Sequence, residues 1–191
     1  MATTRRSSPD IILIGLRTSG KSTLGRTLAG KLRRRFVDLD EEVAVMSRQH
    51  TAGEVIRQLG LDAFRDAETR ALTRLLEVGT RRRPFVLALG GGTPTAPGAA
   101  ELLRAARDEG RVTILYLRAN VATLKTRLKA EIGSGAADRP SVTGADPVKE
   151  VGELFKTRDP LYRELANVVI DAEQTPGRVV QAMVREARAA R

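Results

Sequence analysis

Near the start of the chain, the segment from Gly15 to Ser22 fits the phosphate-binding pattern G-x-x-x-x-G-K-[ST]. Gly15 and Gly20 permit backbone conformations that are closed to other residues, so successive N–H groups can turn toward phosphate oxygens at a helix N-terminus. The motif predicts that Lys21, a catalytic candidate, reaches the β- and γ-phosphates of a nucleotide and that the Ser22 hydroxyl is a ligand of Mg²⁺. The predicted nucleotide-binding residues of this segment are Gly15, Thr18, Ser19, Gly20, Lys21, Ser22 and Thr23.

The sequence on either side of this phosphate loop supplies the elements that must position it. Asp10–Ile14 contains a short apolar run rich in β-branched residues, which predicts a strand that ends at the loop. After the loop, Leu24, Leu28 and Leu32 recur at helical spacing, which predicts a helix with one apolar face. Strand, glycine-rich loop and helix are the context that phosphate binding requires, so we set aside a chance glycine-rich turn.

Two carboxylates, Asp38 and Asp40, close the second predicted strand. Ligands of an open parallel sheet gather beyond the carboxyl ends of the strands, so both acids are expected near the phosphate loop. If this stretch is extended, alternation points both side chains to the same side. One carboxylate can then orient Mg²⁺ while the other accepts a proton from a substrate hydroxyl. The alternative is that one of the pair caps the following helix.

Glycines and arginines further along the chain predict a site for a small acidic substrate. The third predicted strand runs into Gly90-Gly91-Gly92, where backbone N–H groups are exposed and a ligand can approach closely. Arg65 and Arg158 carry the planar fork that grips carboxylates, so their convergence on one pocket would favour a carboxylate-bearing substrate. The spacing of Arg65 and Glu68 also permits an ordinary ion pair within a helix.

The charge balance leaves several classes of partner open. The chain carries 33 Lys and Arg against 23 Asp and Glu, a formal net charge of +10, which suits nucleic acid, a membrane surface or small anionic substrates. Arg33–Arg35 and Arg81–Arg83 each follow a helical pattern and precede an apolar strand, which predicts a local role at helix C-termini. With two Tyr, four Phe and no Trp there are few residues for base stacking, which disfavours nucleic-acid binding.

Cysteine content and hydropathy limit the chemistry and the cellular location that the sequence allows. The chain has no cysteine, which excludes disulfides, thiolate zinc sites and thiol catalysis. Its start lacks an apolar signal-peptide segment and no apolar run approaches transmembrane length, so we expect a cytoplasmic protein without a membrane partner. The lone His50 lies in a polar stretch and is expected at the surface. A length of 191 residues predicts a single domain over the whole chain.

Five apolar strands alternate with helical stretches, which predicts a parallel sheet covered on both faces. The predicted strands are Ile11–Ile14, Phe36–Leu39, Phe85–Leu89, Val112–Leu117 and Val168–Ile170. The predicted helices are 21–33, 40–47, 52–59, 61–79, 96–107, 120–130, 147–165 and 176–189. One segment, 131–147, departs from this pattern: it is rich in glycine and alanine, so it buries little apolar area and is predicted to be mobile. It could be a flexible connector, but Arg139 in its middle favours an active-site lid.

Together these motifs resemble the shikimate kinases. The matching segments occur in order along nearly the whole chain: Gly15–Ser22, Asp38–Asp40, Phe64–Glu68, Gly90–Gly92, Arg139–Pro140 and Arg158–Tyr162. The resemblance implies an α/β three-layer sandwich of the P-loop nucleoside monophosphate kinase type, with a five-stranded parallel sheet and a mobile lid. It also implies a monomer that uses ATP and Mg²⁺ to phosphorylate the 3-hydroxyl of shikimate, a step of aromatic amino acid biosynthesis.

The resemblance further implies how the acceptor side of the site is divided. Asp38 would support Mg²⁺, while Asp40 would bind the substrate hydroxyls and act as the catalytic base. Arg65 and Arg158 would hold the shikimate carboxylate. Backbone groups at Gly90–Gly92 would bind the same substrate.

On the nucleotide side, the resemblance implies that Arg139 closes over the phosphates as a catalytic and nucleotide-binding residue, and that Arg127 lies against adenine. The chain departs from the family pattern in three ways. Ser141-Val142 stands where two leucines are usual, the lid is longer, and the phosphate loop carries Arg17 and Thr18 in place of small residues. These departures bear on lid closure and nucleotide affinity more than on the reaction.

Two other function classes fit parts of the pattern. Another small-molecule kinase of the same fold, such as a gluconate kinase, would not need paired arginines aimed at a ring carboxylate. A catalytically silent nucleotide-binding module would not need Lys21, Ser22 and both aspartates, all of which this chain retains.

Overall fold

The computed structural model describes residues 8–79, 83–135 and 146–190. Strands and helices alternate along the chain in the order β1 Asp10–Ile14, α1 Lys21–Leu32, β2 Arg35–Asp38, α2 Leu39–Met46, α3 Ala52–Leu59, α4 Leu61–Gly79, β3 Phe85–Ala88, α5 Ala99–Asp108, β4 Val112–Arg118, α6 Val121–Gly133, α7 Pro147–Leu165, β5 Val168–Asp171 and α8 Pro176–Ala189. A short 3-10 turn, Thr93–Thr95, lies between β3 and α5.

The five strands form one parallel sheet in the order β2-β3-β1-β4-β5. All strands point the same way, so the loops after β1, β2 and β3 leave the sheet at one edge. These three loops and the residues just beyond them carry the phosphate loop, the aspartate pair and the three glycines. The topology therefore brings the predicted site residues to one side of the molecule, as expected for an open α/β sheet.

The sheet is covered on both faces. Ile11, Ile12, Leu13 and Ile14 of the central strand are each fully buried, although successive side chains of a strand point to opposite faces. Helix α1 packs against α8, while α5 packs against α4 and α7. Burying such aliphatic side chains contributes about 1.5–3 kcal/mol each, which ties the helices to the sheet that positions the site. The predicted five-stranded parallel α/β architecture is confirmed.

The structure corrects several predicted boundaries. The helix predicted at 96–107 starts at Ala99, because the 3-10 turn takes up the preceding residues. Helix α6 continues to Gly133, so the first residues of the predicted lid segment 131–147 are helical. Of the rest of that segment, residues 136–145 lie outside the described residues, and with them Arg139 and Ser141-Val142. Among the residues that the structure describes, no helix is long and apolar enough to cross a membrane.

Asp40 lies in a helix, within the range 40–47 that the sequence predicted as helical, but the preceding strand ends one residue earlier than predicted. Strand β2 ends at Asp38, and Asp40 belongs to the first turn of helix α2, so strand alternation does not set its direction. The helix starts this early because the Asp38 side chain accepts a hydrogen bond from the Asp40 backbone N–H at 3.1 Å, which caps α2. The argument that placed both carboxylates on one side of an extended chain is therefore wrong.

Candidate active site

The phosphate loop turns sharply between β1 and α1. Gly15 has φ +152°, and a Cβ atom there would lie 2.6 Å from the backbone oxygen of Leu117 on the neighbouring strand. Only a residue without a side chain fits this approach. Gly20 has φ +94° and forms the N-cap of α1, so the loop delivers its N–H groups to the start of that helix. This is the geometry that an anionic phosphate group requires.

Lys21 is folded back over the loop that it follows. Its side chain is buried, and Nζ donates hydrogen bonds to the backbone oxygens of Gly15 and Leu16, both at 2.9 Å. These bonds hold the ammonium group beside the phosphate loop, where the sequence predicted a cation. A buried ammonium in this position would favour the negative charge of a bound phosphate.

Ser22 and Asp38 form the candidate metal site. Ser22 Oγ donates to Asp38 Oδ2 at 2.6 Å, while Asp38 Oδ1 accepts the capping bond from Asp40. Among the described residues, no three or more His, Cys, Asp or Glu side chains cluster as ligands of a metal ion. One hydroxyl and one carboxylate nevertheless suit Mg²⁺, which takes few protein ligands and completes its octahedron with water and phosphate oxygens.

Two acidic side chains meet beside the glycine segment. A Cβ atom built on Gly90 would lie 2.5 Å from Glu68 Oε1, 2.7 Å from Asp40 Oδ1 and 2.9 Å from Thr93 Oγ1. Thr93 Oγ1 also donates a hydrogen bond to Glu68 Oε1, and Glu68 is 2% exposed. Residues from α2, α4 and the 3-10 turn thus converge on the backbone after β3, which explains why the chain needs a glycine there.

Arg158 and Tyr162 bind the same carbonyl group. Arg158 Nη1 and the Tyr162 hydroxyl donate to the Gly91 oxygen at 2.7 and 2.5 Å, and the Arg158 guanidinium also lies about 3.6 Å from a Cβ built on Gly92. The two side chains are four residues apart on α7, so both point from one face of the helix. Arg158 is 7% exposed and Tyr162 is fully buried, and burial raises the pKa of Tyr162 to about 12. The neutral tyrosine therefore remains a donor at physiological pH.

A charged network anchors the same helix to the sheet. Asp159 accepts hydrogen bonds from the Tyr116 hydroxyl, from Arg118 Nε and from Arg163 Nε, each at 2.8 Å. Burial alone would raise the pKa of Asp159, but these donors outweigh it and the pKa is lowered. The ionised carboxylate fixes α7 directly beside Arg158.

Arg65 lies on α4 at the mouth of the acceptor side. Its Nη1 atom is 3.9 Å from Asp62 Oδ1, one turn earlier, and its side chain is 30% exposed. Glu68, the partner that the helical spacing suggested, is directed to Thr93. The Arg65 guanidinium can therefore turn toward a ligand and lose only its long, exposed ion pair with Asp62, which contributes little to stability.

The candidate site residues line two adjoining cavities. The first, of about 150 Å³, is lined by Arg65, Glu68, Gly91, Gly92 and Arg158 together with apolar side chains from α3, α4, α6 and α7. The second, of about 420 Å³, is lined by Asp40 and, in and after the phosphate loop, by Arg17, Thr18, Gly20, Lys21, Ser22 and Thr23. Arg17 and Gly91 line both cavities. A small acidic molecule in the first cavity would thus face a phosphate group in the second.

Arg127 and Arg17 extend the site toward α6. Arg127 Nη2 donates to the Ala172 oxygen at 2.8 Å, and its Nη1 lies 3.5 Å from the Thr18 oxygen, so the side chain borders the phosphate loop. Arg17 Nη2 pairs with Glu131 Oε1 at 3.0 Å. This pair links the phosphate loop to the end of the helix that precedes the predicted lid.

Sequence reasoning missed several residues of this site. Thr93 and the Arg17–Glu131 pair join positions that are far apart in the chain, and no local pattern marks them. Tyr162 had a signal, since it stands one helical turn after Arg158 on a predicted helix. Arg139 was predicted in the lid and lies outside the described residues.

Comparison with known proteins agrees with this geometry. A family model described as shikimate kinase matches residues 17–188. The chain is 38% identical to shikimate kinase 2 of Yersinia pestis over 175 residues, covering 92% of this chain and 93% of the relative. It is 37% identical to shikimate kinase 2 of Escherichia fergusonii, covering 89% and 87%. The solved structure of shikimate kinase from Acinetobacter baumannii in complex with shikimate superposes with a TM-score of 0.80 at 31% identity, covering 96% and 95%. The chain belongs to the shikimate kinase family.

Proposed function

We propose that this protein transfers the γ-phosphoryl group of ATP to the 3-hydroxyl of shikimate, giving shikimate 3-phosphate and ADP. The observation that carries the proposal is the junction of the two cavities at Arg17 and Gly91. One side offers arginine forks to a carboxylate, and the other offers a phosphate loop with a lysine. Family membership and the shikimate complex of the Acinetobacter baumannii relative support the same acceptor.

The acceptor would be held at both ends. In our proposal Arg65 and Arg158 bind the shikimate carboxylate, and Asp40 and the backbone at Gly90–Gly92 bind its hydroxyls. Arg158 is pre-oriented by its bond to Gly91, so little side-chain freedom remains to be lost on binding. Such positioning turns the transfer into an effectively intramolecular step.

The donor would lie on the phosphate loop. We assign the phosphates to the backbone N–H groups from Gly15 to Ser22, including that of Ser19, to the hydroxyl of Thr23, and to Lys21. Mg²⁺ would be held by Ser22 and Asp38 and would neutralise charge on the phosphate oxygens. Adenine would stack on Arg127, and Arg139 would close over the phosphates.

The chemical step needs little covalent help from the protein. The acceptor oxygen forms a bond to the γ-phosphorus as the bond from that phosphorus to the β-phosphate oxygen breaks, and ADP departs. We propose that Asp40 takes the hydroxyl proton, since its carboxylate borders the cleft of the phosphate loop. Lys21 stabilises the charge that develops on the transferred group.

We further propose that the protein acts as a monomer in the cytoplasm, without nucleic-acid or membrane partners. Size-exclusion chromatography with light scattering would show a mass near 20.7 kDa, whereas twice that mass would contradict the monomer.

An ADP-release assay with three acceptor conditions tests the reaction. Saturating ATP and Mg²⁺ would be combined with shikimate, with gluconate or with no acceptor. We expect turnover with shikimate alone. Turnover with gluconate alone would favour a different sugar-acid kinase, and nucleotide binding without turnover on either acceptor would favour a silent module.

A further inference from the structure

The proposed reaction does not use the basic residues at the amino ends of the strands, on the side of the sheet away from the phosphate loop. Strand β2 pairs with β3 so that Arg35 stands beside Phe85, and Arg83 lies two residues before Phe85. Arg35, from the first arginine run, and Arg83, from the second, therefore lie at the amino ends of neighbouring strands. The phosphate loop and the three glycines leave the carboxyl ends of strands, so the two regions are separate.

A cavity of about 320 Å³ opens at this edge, between β2, β3, α2 and α4. Its volume falls within the range of small-molecule sites. The apolar lining consists of Val37, Val45, Met46, Ala71, Leu75 and Phe85. Val45 and Met46 are 73% and 44% exposed, which is high for large apolar side chains, so one wall has apolar surface available for contact.

The rim of this cavity is cationic. Arg35, Arg74 and Arg83 line it, against the single carboxylate of Glu42 among the described lining residues. Arg35 Nη2 pairs with Glu42 Oε1 at 3.1 Å, which neutralises that acid. Arg74 and Arg83 form no hydrogen bond or ion pair with any residue in the described ranges. Two guanidinium forks therefore remain for an anion.

We propose that this cavity binds a small carboxylate with an apolar ring. The ring packs against Val45, Met46 and Leu75, and the carboxylate accepts hydrogen bonds from Arg74 and Arg83. An inorganic anion would leave the apolar lining exposed to water, and a neutral hydrocarbon would leave the arginines unused. The inference is independent of the kinase reaction, because none of its residues contacts the two active-site cavities.

Calorimetric titration with three probes separates the contribution of the apolar ring from that of the negative charge. 2-Naphthoate carries both a ring and a charge, 2-naphthamide keeps the ring without the charge, and inorganic phosphate has charge alone. We expect 2-naphthoate to bind with a 1:1 stoichiometry and at least about tenfold more tightly than either control. Saturating shikimate and a non-hydrolysable ATP analogue should leave this binding unchanged. Loss of binding in their presence would place the probe in the active site and overturn the proposal.

Substitution of the two rim arginines tests whether the probe binds in this cavity. The double variant Arg74→Gln, Arg83→Gln should weaken 2-naphthoate binding about tenfold or more. The matched control Arg178→Gln, Arg188→Gln removes the same charge from exposed positions on α8 and should change affinity less than about twofold.

A second pair of variants, at Val45, tests whether the ring packs against the apolar lining of the cavity. These variants carry little risk to folding, because Val45 is largely exposed. Val45→Glu places a carboxylate where the ring would pack and should weaken binding well beyond the effect of Val45→Gln. Thermal unfolding would confirm that each variant is folded. Affinity unchanged in both the arginine double variant and Val45→Glu would overturn the proposal.

Discussion

Replacing Arg158 by lysine keeps a positive charge at the acceptor site and removes only the planar fork. In the structure one guanidinium nitrogen already donates to the Gly91 oxygen at 2.7 Å, which leaves the other edge for a substrate carboxylate. The lysine ammonium is a single donor centre and cannot serve both partners in this geometry. Arg158→Lys therefore isolates hydrogen-bond geometry from charge.

The size of the effect follows from the bonds that are lost. One charge-assisted hydrogen bond contributes about 1.5–3 kcal/mol, so the KM for shikimate should rise about 10- to 150-fold. The Gly91 oxygen keeps its bond from Tyr162, so it does not become an unsatisfied buried acceptor. The expected loss of stability is thus about 1 kcal/mol, or about 2–4 °C in Tm, and the variant remains folded at assay temperature.

Steady-state kinetics with shikimate and ATP varied separately would test this prediction. The KM for ATP should change less than about twofold, because Arg158 does not line the cleft of the phosphate loop. Arg104→Lys is the matched control, since Arg104 forms a two-pronged pair with Glu164 on the exposed surface, where such pairs contribute little. Equal losses for both substrates, or an unchanged KM for shikimate, would refute the role given to Arg158.

Three further predictions follow from the same site. Asp40→Asn should retain ATP binding in calorimetry and lose about 100-fold or more in kcat, and near-normal turnover would exclude Asp40 as the base. Gly15→Ala should weaken ATP binding while leaving shikimate binding intact in calorimetry, because the new Cβ would lie 2.6 Å from the Leu117 oxygen; unchanged ATP affinity would contradict the loop geometry. Burial raises the pKa of Tyr162 from 10.0 to about 12, so the native state keeps a proton that the unfolded chain releases in this range. The free energy of unfolding in urea should therefore fall as pH rises from about 10 to 12, and Tyr162→Phe should flatten that fall, whereas an identical pH profile would contradict the shift.

The fold was predictable because its signals are local. The central strand is a short apolar run, Ile11–Ile14, and some helices have a recognisable start, such as the cap that Thr51 supplies to α3 at 3.2 Å. The phosphate loop was predictable for the same reason, because one contiguous motif specifies both its turn and its helix. Parallel pairing then placed the remaining motifs at one edge of the sheet.

The features that the sequence did not predict depend on a choice between two local structures or on contacts between residues far apart in the chain. Asp38 could end a strand or cap the following helix, and because it caps α2, strand alternation does not set the direction of Asp40. Arg17 stood out only as a departure from the family pattern, because its partner Glu131 stands 114 residues away. No periodicity reports such a contact, because it exists only once α6 is packed beside the loop.

In our proposal the two cavities form one phosphoryl-transfer site with shikimate as the acceptor. Phosphorus NMR of the reaction of ATP, Mg²⁺ and shikimate with the protein would test it most directly, with Lys21→Ala as the control. We expect a new phosphate monoester whose phosphorus couples to the proton at the 3-position of shikimate, and no such product with Lys21→Ala. ADP and inorganic phosphate as the only new products, or a monoester formed equally by Lys21→Ala, would contradict it.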